Sequence, residues 1–282
     1  MRLVALICLL LAVLPAASAE NKPSDPGIQD VHALLLEVEA HQKQIEKIRE
    51  DYTYRELARI DDLDGDGKVK KTETGEFEVF FANGHPIRRQ VKKDGKDLSP
   101  DEMKKEQNRV NKEVGEAIKR PPDEPLHGDA ISVRRLLEII TIHNPRRMNY
   151  KDRPTVVFDF VGDPHTRTHG MTEDISKKLS GTVWIDEKDR QVTRMDARID
   201  DTFRMGGGLV ASVQKGSSFT FEQGLVNHEL WLPTGADIHY SARVLLLKGL
   251  KQNIHVVNDQ YQKFHADAQQ QPGVTVKTPA KP

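Results

Sequence analysis

Apolar positions along the chain follow three patterns. Leu3 to Leu14 is an unbroken apolar run, and no later stretch matches its length. From Asp30 onward the spacing is helical. Val31, Leu34, Leu35, Val38, Ile45 and Ile48 recur on one stripe, and Asp30 stands where an N-cap belongs. The pattern then changes to alternation. Strands are predicted over Tyr52–Ile60, Lys68–Ala82 and Pro86–Lys93, with Asn83-Gly84 as a two-residue hairpin turn. Ser99-Pro100-Asp101-Glu102 is a helix start with a capping box. The helix it opens, to about residue 119, is charged on most of its surface, with Met103, Val110, Val114, Ala117 and Ile118 as its few apolar positions. A short helix capped by Asp129 carries Val133, Leu136, Leu137 and Ile140, and Pro145 is expected to end it. Seven strands follow in close succession: Thr155–Val161, Ser180–Asp186, Gln191–Asp200, Leu209–Gln214, Phe219–Gln223, Val226–Leu232 and Ile238–Lys248. Lys251–Tyr261 is the last. Short links between neighbours predict an antiparallel meander.

These elements predict an α+β fold: one large curved antiparallel sheet, an incomplete β-barrel, with about three helices on one side. Residues 30–265 are expected to form a single domain into which the charged helix 99–120 is inserted. Residues 20–29 read as a flexible leader and 266–282 as a disordered tail.

Composition narrows the function classes. Arg2, the apolar run, Pro15 and Ala17-Ser18-Ala19 have the order of a secretory signal peptide cleaved after Ala19, so the protein is expected to be periplasmic or secreted. Cys8, the one cysteine, leaves with that segment. Disulfides, thiol catalysis and thiolate metal sites leave with it. With 42 Lys+Arg against 43 Asp+Glu there is no surplus cation to neutralise phosphates, so a nucleic-acid partner is not expected. After signal removal no apolar run is long enough to span a membrane.

Gly181-Thr182-Val183-Trp184-Ile185-Asp186-Glu187 followed by Gln191-Val192-Thr193-Arg194-Met195 resembles the G-x-[VI]-W-I-D hairpin of the periplasmic lipoprotein-carrier superfamily. That superfamily contains the outer-membrane lipoprotein-sorting proteins. The stretch from Val226 to Phe264, with its W-L-P and Y-x-x-F pieces, is similar to the closing strands of the same superfamily. More closely, the chain resembles a group of exported bacterial proteins of unknown function placed within it. The resemblance implies an incomplete barrel whose mouth is covered by helices and whose hollow holds acyl chains. The two Trp-containing pieces are then structural, each an aromatic on the inner face beside a turn.

Candidate chemistry is sparse. Residues Asp62 to Glu73 match a calcium loop, with Asp62, Asp64, Asp66, Lys68 and Glu73 as the ligand set; Lys68 holds the position that offers a backbone carbonyl. Lys70 stands where a ligand or bridging water belongs, and the following residues alternate as a strand, so a polar hairpin turn is the competing reading. If calcium binds, it clips a hairpin; no cofactor is otherwise required. His165 and His169 are four apart without a helix to align them, and His228-Glu229 and His239 fall on expected strands. Gly206-Gly207-Gly208 precedes a strand and lacks the helix N-terminus a phosphate loop needs. Trp184, Phe219, Phe221, Trp231 and Tyr240, on successive strands, are either sheet core or the lining of an apolar groove. The leading expectation is a non-enzymatic carrier that binds a lipid or other apolar ligand in the concave face of its sheet, with lipid or lipoprotein transport in the envelope as its role. The alternatives are an envelope interaction module with a filled core, its charged helix docking a partner, and an enzyme using His228, His239 and a carboxylate.

Overall fold

The computed structural model describes residues 30–122, 124, 126, 133–205, 211–244 and 249–263. The signal segment, leader, tail and glycine run 206–208 lie outside these residues, as does the start of the helix expected at Asp129. The elements are α1 (Val31–Glu50), β1 (Tyr52–Leu63), β2 (Val69–Ala82), β3 (His85–Lys93), β4 (Lys96–Asp97), α2 (Pro100–Ala117), α3 (Val133–Ile139), β5 (Ile140–Tyr150), β6 (Arg153–Gly162), α4 (Gly170–Ser176), β7 (Leu179–Asp186), β8 (Gln191–Ile199), β9 (Phe203–Met205), β10 (Ala211–Val213), β11 (Ser218–Val226), β12 (Leu230–Val244) and β13 (Leu250–Lys263).

All 13 strands join one open, curved antiparallel sheet ordered β4-β3-β2-β1-β13-β12-β11-β8-β7-β6-β5. β12 forks: its first part pairs with β11 and its end with β10, which in turn pairs with β9. The expected α+β architecture is therefore the observed one. Three details differ. β5 runs through Pro145, where the short helix was expected to end; the proline sits in a register shift between His143 and Arg146, beside Asn144 at φ 48°. The strand expected over Val226–Leu232 is broken by a turn at Asn227 and His228, both at positive φ. And α4 stands between two expected strands, where no helix was expected.

Register fixes two faces. Ala197, Phe219, Ile238, Ile254, Ile60 and Glu73 lie opposite one another on successive strands and define the inner face. α1 lies across it. Its stripe splits into two contacts, because Val31, Leu34 and Val38 pack on Val156, Phe158, Val183 and Ile199, whereas Ile45 packs on Tyr52, Leu230 and Leu232. Asp30 caps the helix by accepting from the His32 N–H at 2.9 Å. Ile175 of α4 joins the first cluster, and α3 touches α1. The helices of the inner side are thus α1, α3 and α4; of the three helices expected on one side, the one over 100–119 is not among them. α2, the helix read as an insertion, packs elsewhere: Val110 and Ala117 meet Ile87 and Phe80, a cross-strand pair that faces away from the inner surface.

α2 also closes a sheet edge. β3 has 9 residues, about 30 Å of strand, and the 18-residue α2 is about 27 Å long, so the two are of similar length. The Gln90 N–H donates to Glu106 Oε1 at 2.7 Å, and Arg109 Nη2 donates to the Arg88 carbonyl. Pro86 has no N–H to offer. β4 takes the rest through Lys92 and Lys93. A charged helix with little apolar surface is therefore explained by what it does: its side chains stand in for a neighbouring strand. β5 at the opposite edge is guarded by its bulge, Pro145, Arg146 and Arg147. The combined variant Glu106→Ala/Arg109→Ala is expected to self-associate with rising concentration in sedimentation velocity and to lose about 1–3 kcal/mol of stability. The exposed-face change Lys112→Ala is expected to leave both unchanged.

Candidate functional site

The five aromatic candidates do not share a face. Phe219, Phe221 and Tyr240 lie on the inner face. Phe219 is only partly buried and packs against two apolar clusters at once. One holds the α1 contacts. The other consists of Ala58, Phe77, Ile238, Tyr240, Ala242, Ile254 and Val256 and contains no helical residue. Its members come from β1, β2, β12 and β13, so among the described residues no helix contributes to this buried cluster. At one end the Tyr240 hydroxyl donates to Gln252 Oε1 at 2.6 Å and Gln252 Nε2 donates to Asp62 Oδ1 at 2.5 Å. Burial, with the Asp62 carboxylate second, pushes the Tyr240 phenol above its ordinary value. At the other end Arg88 lies over the Phe77 ring, 4.1 Å from its centroid.

Trp184 and Trp231 lie on the outer face, contrary to the inner placement the sequence suggested. Trp184 pairs with Arg194, and Arg194 with Glu222, one position out of phase with Val183, Met195 and Phe221. Its ring is flanked by Tyr150 at 6.3 Å and the Arg194 guanidinium at 5.3 Å. Trp231 stands between Leu230 and Leu232, which point toward α1. It therefore points outward, where its Nε1 donates to Asp189 Oδ2 at 2.8 Å. Arg153 completes a knot. It lies 5.4 Å over the Trp231 ring, donates to Asp189 Oδ2 at 2.6 Å and to Asp186 Oδ1 at 2.9 Å, and its Nε also bonds Asp186. Asp186 is fully buried and accepts the Asp189 N–H at 2.7 Å. The two motif pieces thus meet each other through Arg153 and Asp189, which the motifs did not include. The spacing from Asp186 to Asp189 across a four-residue turn was the available signal.

The calcium-loop residues form a hairpin. Asp64 Oδ1 accepts the N–H groups of Asp66 and Lys68, both at 2.9 Å, and Gly67 takes φ 83°. Asp62 is engaged by Gln252, and Glu73 is bonded by Lys71. Glu73 pairs with Ile60, roughly 16 Å along the strand from Lys68. The set Asp62, Asp64, Asp66, Lys68 and Glu73 does not converge on one point. Among the described residues no group of three or more His, Cys, Asp or Glu side chains could hold a metal ion. His228 lies in the β11–β12 turn and His239 far along β12, roughly 30 Å away, so those two histidines do not meet.

A depression of about 430 Å³ lies on the outer face, not the inner one. Its floor is the backbone of Phe160, Gly181, Ala197 and Phe219, and its walls are the flanking rows around Asp159, Thr182, Asp196 and Arg198. The wall charges already have partners: Arg146 holds Asp159, Arg194 holds Asp196, and Arg198 bonds Asp200.

No protein-family model matches the chain, and no curated protein matches it. The structure is similar to a solved chain described as an outer membrane lipoprotein-sorting protein domain from Vibrio parahaemolyticus, with TM-score 0.31 and 9% identity over 84% of this chain and 94% of that one. Among the described residues no helix is long and apolar enough to cross a membrane.

Burial opposes ionisation of Asp186, but Arg153 and the Asp189 N–H outweigh it and hold the carboxyl below its ordinary value. Such a group stabilises the fold above the unfolded carboxylate value, about 3.9, and the contribution fades as pH falls through the lower folded value. Asp186→Asn is expected to destabilise the fold by about 1–3 kcal/mol at pH 7, because it weakens two charge-assisted bonds from Arg153, which keeps Asp189, and to flatten the acid limb of a melting-temperature profile below about pH 4. A variant whose acid limb matches that of the parent contradicts this.

Proposed function

We propose that the protein is a non-enzymatic carrier of the cell envelope that binds a lipid or similar single-chain apolar ligand on the inner face of its sheet. The observation that carries this reading is the apolar cluster of that face, from Phe219 through Ile238 and Ile254 to Phe77, to which among the described residues no helix contributes. Helix α1 covers the remainder, so ligand and helix would share one continuous apolar surface. Binding would be driven by apolar burial, with no covalent step. The signal-like N-terminal segment supports an envelope location, and the resemblance of the β7–β8 and β12–β13 segments to lipoprotein carriers supports the ligand class.

The second reading is a packed envelope interaction module. It rests on the burial of the same cluster, whose members are each under one tenth exposed without any ligand. Native mass spectrometry of protein purified from its own envelope separates the two. The carrier reading predicts a co-purifying lipid and saturable uptake of a fluorescent fatty acid. Phe219→Ala is expected to weaken uptake about tenfold, whereas Trp184→Ala, on the outer face, leaves it unchanged. Lipid-free protein with no uptake, at full thermal stability, establishes the packed module instead.

A further inference from the structure

The depression of about 430 Å³ lies on the face opposite the proposed carrier surface. It is a groove between two rows of side chains that cross β6, β7, β8 and β11. One row runs Asp159, Thr182, Asp196 and Thr220; the other runs Val161, Ser180, Arg198 and Ser218. Three strand spacings make it about 14 Å long. Ser and Thr make up half of the two rows, and the adjoining row of Trp184, Arg194 and Glu222 is bulky, so the surface dips here. Charge in the groove is balanced. Arg146 and Asn144 hold Asp159, Arg194 holds Asp196, and Arg198 Nε bonds Asp200. An added anion would also meet the Asp159 and Asp196 carboxylates, so an ionic ligand finds no unanswered charge. What remains is hydrogen-bonding capacity. Among the described residues the Ser218 and Thr220 hydroxyls have no hydrogen-bond partner, and the Nη groups of Arg198 are unengaged on a side chain that is 69% exposed. Hydroxyls donate and accept, and a guanidinium donates. Val161, 44% exposed, and the half-buried Trp184 on the adjoining row add apolar surface beside these groups.

We infer that this groove binds a linear neutral oligosaccharide, its hydroxyls bonding Thr220, Ser218 and Arg198 and its C–H faces lying on Val161 and beside Trp184. Such a chain matches the groove in each respect: it is uncharged, straight, rich in groups that both donate and accept, and apolar on its ring faces. The inference stands apart from the carrier reading, because the two surfaces lie on opposite sides of the sheet and share no side chain that contacts both ligands.

The test titrates the full exported chain with two neutral probes, cellotetraose and tetra-N-acetylchitotetraose, and with tetragalacturonate as an anionic probe of the same length. The parent protein is expected to bind at least one neutral probe saturably, and about tenfold or more tightly than tetragalacturonate. Thr220→Val removes the hydroxyl and keeps a β-branched residue of the same shape, so the strand is retained. It and Arg198→Gln are each expected to weaken neutral-probe binding about fivefold or more. Arg59→Gln, on the outer face beyond the groove, is expected to leave it unchanged. The assignment is overturned by the absence of saturable binding of either neutral probe, by equal binding of tetragalacturonate, or by an affinity that Thr220→Val or Arg198→Gln leaves unaltered.

Discussion

An open sheet of 13 strands has one constraint above all others: an apolar face that no second sheet covers, and two edges that no barrel closure removes. The rest of the molecule can be read as answers to that constraint. α1 covers part of the apolar face. α2 stands along one edge, and a proline bulge blunts the other. What remains is the stretch from Phe219 to Phe77, where among the described residues the buried cluster draws on strands alone.

Holding so wide a sheet to one curvature requires a tie across it. The Arg153–Asp186–Asp189–Trp231 knot joins the β7–β8 turn to β12 on the outside, while Ile185 and Leu232, the neighbours of Asp186 and Trp231 in sequence, are fully buried on the inside. The two Trp-containing pieces therefore act on the sheet itself. Their aromatic rings are spent on cation–π and indole hydrogen-bond contacts, which removes them from the set available to an inner ligand.

Much of the fold was legible. The hairpins of residues 52–93, the capping box at Ser99 and the strand meander follow from alternation and turn chemistry. Two kinds of feature were hidden. Pro145 and His228 are tolerated by local backbone geometry, a bulge and a left-handed turn, that composition does not announce. Which face an aromatic occupies depends on strand register, and register shifts between Trp184 and Ile185 and between Glu222 and Gln223 are tertiary facts. The calcium-loop pattern left two readings open for a related reason: the same Asp and Gly residues serve a tight hairpin, and the strand that follows is what favours the hairpin turn.

The most direct measurement is saturable photolabelling with a diazirine fatty acid, followed by peptide mapping. The account predicts that label falls on inner-face positions of β11, β12, β13 and β2, around Phe219, Ile238, Ile254 and Phe77, and is competed away by unlabelled fatty acid. Label confined to the outer face around Trp184 and Trp231, or label that does not saturate, contradicts it.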